Sequence, residues 1–499
     1  MSIVDWINVI VYDYMWGTPL VVFVLGAGLY LSIRTGFFQI RGFKMAMKRA
    51  YDNFFGGKNA EESKSAGVLS SMEAMSTALG TTIGVGNIGG VATALALGGP
   101  GAVFWMWVSG LFGMIVKSAE ITLAVHYRIK DGEQEAYGGP NYYMQKGIGE
   151  EMNKKGLYIF LSALFAIGFS LSYFINIQTY TVSEALASTF NISMLASSIV
   201  FTVVLYIMIS GGLKSIGKWA TILVPFMCLF YLLGGLFIII KNINMVPESV
   251  ALIFGSAFTG TAAVGGFAGA TMKLALQTGM ARSVFSNEAG WGTAPMIHAS
   301  AKVEHPVKQG MLGIFEVFMD TFIICTMTCL IIMVTGQWNS GLEGASLTLS
   351  AFETGLGTLG RIILAVGIFL FGITTSSGLY AQIEVVLRYV VGESKIKKYA
   401  LAFYKWTYPL PSLILVLIAV FNELPGATVW IISDAGVGLP IFINLLALVV
   451  LAPKFSALLK DYNARYLGKG KVDENFKIFY DEKQDAEAKK SIGKAGSAQ

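Results

Sequence analysis

Charge is what this chain lacks: 13% of its 499 residues are Asp, Glu, Lys or Arg, about half the share in an ordinary soluble domain. A soluble fold of this length would have to cover its surface with polar groups that are not present. Histidine and cysteine are scarce as well. The three histidines, His126, His298 and His305, have no HExxH spacing or cysteine partner, which makes them poor metal ligands. Cys228, Cys325 and Cys329 all lie within apolar runs; they read as packing residues and imply no disulfide framework. No G-x-S-x-G elbow and no zinc signature occurs, which argues against an enzyme. Residues 1–16 hold no Lys or Arg, so the basic leader of a signal peptide is missing and the first apolar run is expected to be a retained span.

Apolar runs are what is abundant. Hydrophobic residues make up 54% of the chain, in continuous stretches of about 20, the length that crosses a bilayer as helix. Barrel strands would alternate apolar and polar residues instead. The expected fold class is an all-α integral membrane protein with about eleven spans, near 17–34, 68–96, 100–127, 156–179, 194–210, 217–240, 250–300, 309–335, 359–389, 400–421 and 428–452. Basic residues collect in alternate loops: Arg41, Lys44, Lys48 and Arg49 in the first, Arg128, Lys130, Lys154 and Lys155 in the third, Lys395, Lys397 and Lys398 later. Loop 336–358 has none. The positive-inside rule then places the N-terminus outside and the C-terminus in the cytoplasm. Segment 137–149 reads as a short interfacial stretch, and the tail from about Asp461 as solvated and partly disordered.

Two spans are dense in glycine: GTTIGVGNIGG at 80–90 and GTAAVGGFAGA at 260–270. Glycine costs a helix about 1 kcal/mol against alanine, so both are expected to unwind near mid-membrane. Unwound backbone in lipid is tolerated only where protein or a polar cavity satisfies it. Its half-helix ends offer amides to a carboxylate and carbonyls to a cation or ammonium group. The breaks fall in spans two and seven. With the first span set aside, ten remain as two inverted sets of five, each opening on its broken helix, which is the arrangement of a transporter site. The division is then 1–66 for the first helix and cytoplasmic loop, 67–245 and 246–453 for the repeats, and 454–499 for the tail. GVGNIG at 84–89 also matches a dinucleotide fingerprint, but no strand precedes it and no βαβ unit surrounds it.

The run GGPGAVFWMWV at 98–108 closely resembles the signature of the alanine/glycine:cation symporter family. TTIGVGN at 81–87, GGPNYYM at 138–144 and FSNEAGWGTAP at 285–295 agree with it. Gly110 is a minor departure, standing where a slightly larger residue is expected. The resemblance implies a LeuT-like 5+5 inverted repeat with two broken helices plus one extra N-terminal helix. It also implies sodium-coupled uptake of alanine or glycine at a site between the breaks, with no cofactor beyond the coupling ion. By that resemblance, carbonyls of Gly80 and Ile83 and hydroxyls of Thr374 and Thr375 would hold sodium, a hard cation that takes oxygen ligands. Those hydroxyls would otherwise bond back to their own helix. Amides around Val85, Gly86 and Asn87 would take the substrate carboxylate, with Thr82 and Asn87 placing the substrate or a second ion.

Gly265, Gly266, Phe267 and Gly269 would line the other wall, with Thr261 as a further ligand. Gln178 would bond the substrate or link helices, and Phe174, Phe267 and Phe371 would close around an alanine methyl group. Charges inside spans are costly and are usually paired or functional. They are Lys117, Glu120, Lys273, Arg282, Glu288, Glu316, Asp320 and Asp434. Lys273 is expected to pair with Asp320 or Glu316 as a gate or structural ion pair; proton coupling through Asp320 is the alternative. Trp105 and Trp107 read as interfacial anchors or packing residues. The functional expectation is symport by alternating access in the cell membrane, with lipid around it and no nucleic-acid partner. A proton-coupled transporter and an ion channel are the rival readings, and the paired five-span organisation argues against the channel.

Overall fold

The computed structural model describes residues 15–55, 67–131, 135–259, 272–424 and 426–496. Among the described residues the regular structure is helical apart from one antiparallel pair of strands, β1 (Ile129–Asp131) and β2 (Glu135–Tyr137), and an isolated bridge between Leu69 and Ala301. In chain order the helices are α1 (Thr18–Arg34), α2 (Phe43–Phe55), α3 (Ser71–Thr82), α4 (Gly86–Gly98) and α5 (Gly101–His126). After the strands come α6 (140–151), α7 (Lys155–Phe174), α8 (Gln178–Phe190), α9 (Met194–Ile209), α10 (Gly212–Lys241) and α11 (Val246–Thr259). The rest are α12 (Met272–Asn287), α13 (Thr293–His298), α14 (Pro306–Val334), α15 (Gly344–Leu356), α16 (Thr358–Val391), α17 (Lys397–Phe421), α18 (Gly426–Leu467) and α19 (Glu482–Gly496).

Length and apolarity qualify seven helices among the described residues to cross a membrane, or eight with the bent pair α3 and α4. The sequence led to an expectation of eleven; α1, α9 and the helix over Ile243–Phe258 are apolar but shorter. Burial sorts the helices by position. The most apolar window of α5 is 83% buried, that of α10 33%. Central α5 packs on α11, α12, α13 and α14. Peripheral α10 leaves Ile222, Phe226, Leu229 and Leu233 exposed along one face, a surface that suits lipid.

α3 begins on a capping box. The Ser70 hydroxyl accepts from Glu73 N at 3.1 Å and the Glu73 carboxylate accepts from Ser70 N at 2.8 Å. This satisfies two of the amide donors that every helix start leaves open. The helix stops at Thr82 because Ile83 is extended (ψ 94°). The axis turns by 43° before α4 resumes.

Segment 137–149 packs on other helices: Tyr142, Tyr143, Met144 and Ile148 are buried against α5, α7, α16 and α18. One sequence expectation changes. The last span runs on to Leu467, and the tail after it is docked. Ile478 and Phe479 are buried, Tyr480 N donates to His126 O at 2.9 Å, and Arg128 Nε donates to Gln484 Oε1 at 2.7 Å. The Arg128 guanidinium lies over the Phe479 ring at 4.8 Å. The charged composition suggested disorder; the apolar run within 476–480 supplies the anchor that overrides it.

Candidate functional site

The first break is residues 83–85, all buried. Its backbone is held by its own neighbour: Asn87 Oδ1 accepts from Gly84 N at 2.8 Å. Asn87 Nδ2 donates to Asp320 Oδ1 of α14 at 2.5 Å. The Asp320 carboxylate also accepts from Ser286 Oγ at 2.9 Å and Thr321 Oγ1 at 2.9 Å. Thr328 and Thr348 hydroxyls donate to the carbonyls of Asn87 and Ile88 at 2.8 and 3.1 Å. Asp320 therefore belongs to the break and not to a pair with Lys273, which is exposed.

The α3 end meets α16. Thr375 Oγ1 donates to Gly80 O at 3.0 Å, shared with Thr81 O at 3.2 Å. Thr374 Oγ1 bonds back to Leu370 O and Phe371 O of its own helix, both at 3.0 Å. Glycine is required here by space: a Cβ on Gly84 would stand 2.5 Å from Thr375 Oγ1, and one on Gly80 2.9 Å from the Val224 side chain. Gly80, Thr374 and Thr375 are thus brought together, and Ile83 stands beside them in the chain at the start of the break. Val85 and Gly86 open α4, where first-turn amides lack intrahelical acceptors; Asn87 N takes Gly84 O at 3.2 Å. Thr82 is already engaged, donating to Ala78 O and accepting from Lys117 Nζ, both at 2.8 Å.

A small pocket lies beside this break, lined by Ser172, Ile175, Asn176, Ile177, Gln178, Phe285, Trp291, Leu379, Gly436 and Val437. Phe285 joins it to the break, since a Cβ on Gly86 would stand 3.2 Å from its ring. The α7–α8 span is interrupted here at Ile175 to Ile177, and Asn176 Oδ1 caps the restart by accepting from Gln178 N at 3.1 Å. Gln178 is buried, and its Oε1 has no hydrogen-bond donor among the described residues. Phe174 is 59% exposed; it ends α7 edge-on to Tyr173 (4.7 Å) and does not close the pocket. Phe371 is buried against Tyr231 at 5.9 Å, outside the pocket lining. The aromatic wall comes from Phe285 and Trp291 instead. Thr261, Gly265, Gly266, Phe267 and Gly269 lie outside the described residues, as does the Asp434 side chain.

The structure describes a second break that the sequence reading did not assign. α12 stops at Asn287 and α13 starts at Thr293, with positive φ at Glu288 (57°), Gly290 (90°) and Gly292 (87°). Groups from other helices hold it. Glu120 Oε2 accepts from Gly290 N at 3.2 Å, and Asn444 Nδ2 donates to Gly290 O at 2.9 Å and to Glu120 Oε1. The Asn444 carbonyl accepts from Tyr143 OH. Asn287 Oδ1 accepts from Ala289 N at 3.0 Å, and Thr293 Oγ1 donates to Glu288 Oε2 at 2.6 Å. The signal in the sequence was the pair Gly290 and Gly292 within NEAGWGT at 287–293.

The two breaks are adjacent, joined by Ser286 on Asp320 and by Phe285 on Gly86. The breaks bring together a carboxylate, hydroxyls and helix-end carbonyls, and the neighbouring pocket adds an amide oxygen without a donor among the described residues.

Comparison with known proteins follows that chemistry. The profile of the sodium:alanine symporter family matches residues 1–477. The sodium/alanine symporter AgcS of Methanococcus maripaludis is 37% identical over 471 residues, 93% of this chain and 97% of that one. An uncharacterized transporter of Haemophilus influenzae is 40% identical over 459 residues, 91% and 95% of the two chains. The probable sodium/glutamine symporter GlnT of Bacillus subtilis is 34% identical over 465 residues, 92% and 91%. Among solved structures, MhsT in complex with L-phenylalanine superposes with TM-score 0.50 at 11% identity, covering 79% of this chain and 98% of that one; that likeness speaks to fold alone.

Proposed function

Because the chain belongs to the sodium:alanine symporter family, we propose that it couples entry of sodium to uptake of a small neutral amino acid, alanine or glycine, by alternating access. The observation that carries the reading is the Thr375 hydroxyl seated on the carbonyls of Gly80 and Thr81 at the end of a broken span. Oxygen ligands without a buried charge suit sodium. The amino acid would lie beside it, its carboxylate toward the amides opening α4 and its ammonium toward the unpaired Gln178 Oε1. Phe285 and Trp291 would limit its side chain. In this reading the chain forms eleven spans in a 5+5 inverted repeat, with the N-terminus outside and the C-terminus in the cytoplasm; the loop charges and the bent pair α3–α4 support it. One observation favours a second reading: Asp320, buried among neutral donors, is suited to carry a proton.

Purified protein in liposomes, given labelled alanine and glycine under an inward sodium gradient, an inward proton gradient or neither, tests both. Concentrative uptake with sodium alone is expected. Uptake with protons alone transfers the coupling to Asp320. Absence of uptake under every gradient, from folded protein, removes the substrate assignment.

A further inference from the structure

Lys117, in the middle of α5, is fully buried. Its ammonium donates to Thr82 Oγ1 at 2.8 Å and Asn287 O at 2.9 Å, and faces Glu316 Oε2 at 3.4 Å. Thr82 and Asn287 are the last residues of α3 and α12. Each is the C-terminal end of a helix that stops at a chain break, where free carbonyls carry a partial negative charge. One cation therefore answers both breaks.

The contacts continue beyond Glu316. Its Oε1 lies 2.7 Å from His298 Nε2, and His298 Nδ1 lies 2.7 Å from Gln309 Nε2. Glu316 thus stands between the Lys117 ammonium and the His298 ring. Gln309 Oε1 then accepts from Ser71 Oγ at 2.8 Å. Ser71 is the first residue of α3. The same file of side chains thus grips α3 at both ends, at Ser71 and at Thr82.

α3 is also the helix whose last turn presents Gly80 O and Thr81 O to Thr375. A fully buried ion pair is a costly way to fill space, since apolar residues of similar volume commonly serve packing as well or better. Within a span such charges are kept for function. We infer that Lys117 is a positioning residue for the coupling cation: by holding the ends of α3 and α12 it fixes the carbonyls that the cation uses, without touching the cation itself. The inference rests on the sodium-symport reading and deepens it.

The test measures sodium activation of alanine uptake in liposomes for wild type, T82V and the doubly neutral K117M/E316Q, together with the alanine KM at saturating sodium. K117M/E316Q leaves no unpaired charge behind, and T82V deletes only one acceptor, so a folded variant is available even if the lysine change fails to fold. Loss of a hydrogen bond to a charged group predicts a sodium half-saturation raised about tenfold in both variants, with alanine KM at saturating sodium moved less than about threefold. A role confined to packing would lower the yield of folded protein and leave the half-saturation in place. Half-saturation within twofold of wild type in a folded variant overturns the inference while the symport reading stands. Wild-type uptake indifferent to sodium removes the symport reading and the inference together.

Discussion

The two breaks solve one problem in opposite ways. At 83–85 the chain is crowded: Gly84 stands where Thr375 of α16 presses in, and its amide is tied by Asn87, three residues further along the same chain. At 288–292 the chain is contorted: Gly290 and Gly292 are needed for positive φ, and beside the local tie from Asn287 the backbone is held by Glu120 and Asn444, 170 and 154 residues distant. The tie at Gly84 is local, although Asn87 in turn reaches Asp320 of α14. A break tied by α5 and α18 holds those helices together. The second break is therefore expected to be the structural keystone of the site and the first its working part.

Breaking the second should cost most. Gly292→Ala must adopt φ 87° and place its Cβ 2.5 Å from the Pro140 ring. Left-handed strain and overpacking together should cost about 4 kcal/mol, read as loss of monodisperse protein on heating in detergent. Glu120→Ala comes next. It strands the Gly290 amide and the Asn444 side chain, about 3 kcal/mol. Glu120→Gln keeps an acceptor at that place and should cost about 1 kcal/mol. Equal midpoints for the two variants would mean that Glu120 acts by charge and not by holding the break.

That contrast also explains what the residues revealed in advance. Long apolar runs announce membrane helices, and glycines packed into 80–90 announce a break whose reason is local. The break at 288–292 needs two glycines and two remote polar anchors, and pairing across such separations leaves no mark on the neighbouring sequence. Lys117 was legible as a buried charge, but its partner was assigned to Lys273, which the structure leaves exposed. The approach of Thr375 to Gly80 was available only through family resemblance, and Trp291 and Phe285 replaced Phe174 because side-chain direction at a helix end is a tertiary matter. Charged composition hid the anchored tail, whose apolar seat is a few residues long.

Loosening the first break should cost less stability and more transport. Asn87→Ala leaves Gly84 N without its acceptor and Asp320 without one of its donors, about 2 kcal/mol. Uptake in liposomes should fall by tenfold or more while the protein stays folded. Retained uptake at reduced thermal stability would make the first break structural like the second, and erase the distinction between them.

The finest division lies between neighbouring hydroxyls on α16. Thr375 leans on the first break, whereas Thr374 satisfies itself on Leu370 and Phe371 carbonyls. Thr375→Val keeps the shape and removes the hydroxyl that reaches Gly80 and Thr81. Its sodium half-saturation should rise about tenfold, which corresponds to about 1.4 kcal/mol. Thr374→Val should move it less than about threefold, because the lost bond is internal to the helix and its carbonyl acceptors keep their helical partners. Equal shifts would mean that both hydroxyls turn to the cation when it binds, with Thr374 giving up its helix bond to do so. The first break would then be finished by the ion, whereas the second is finished by protein alone.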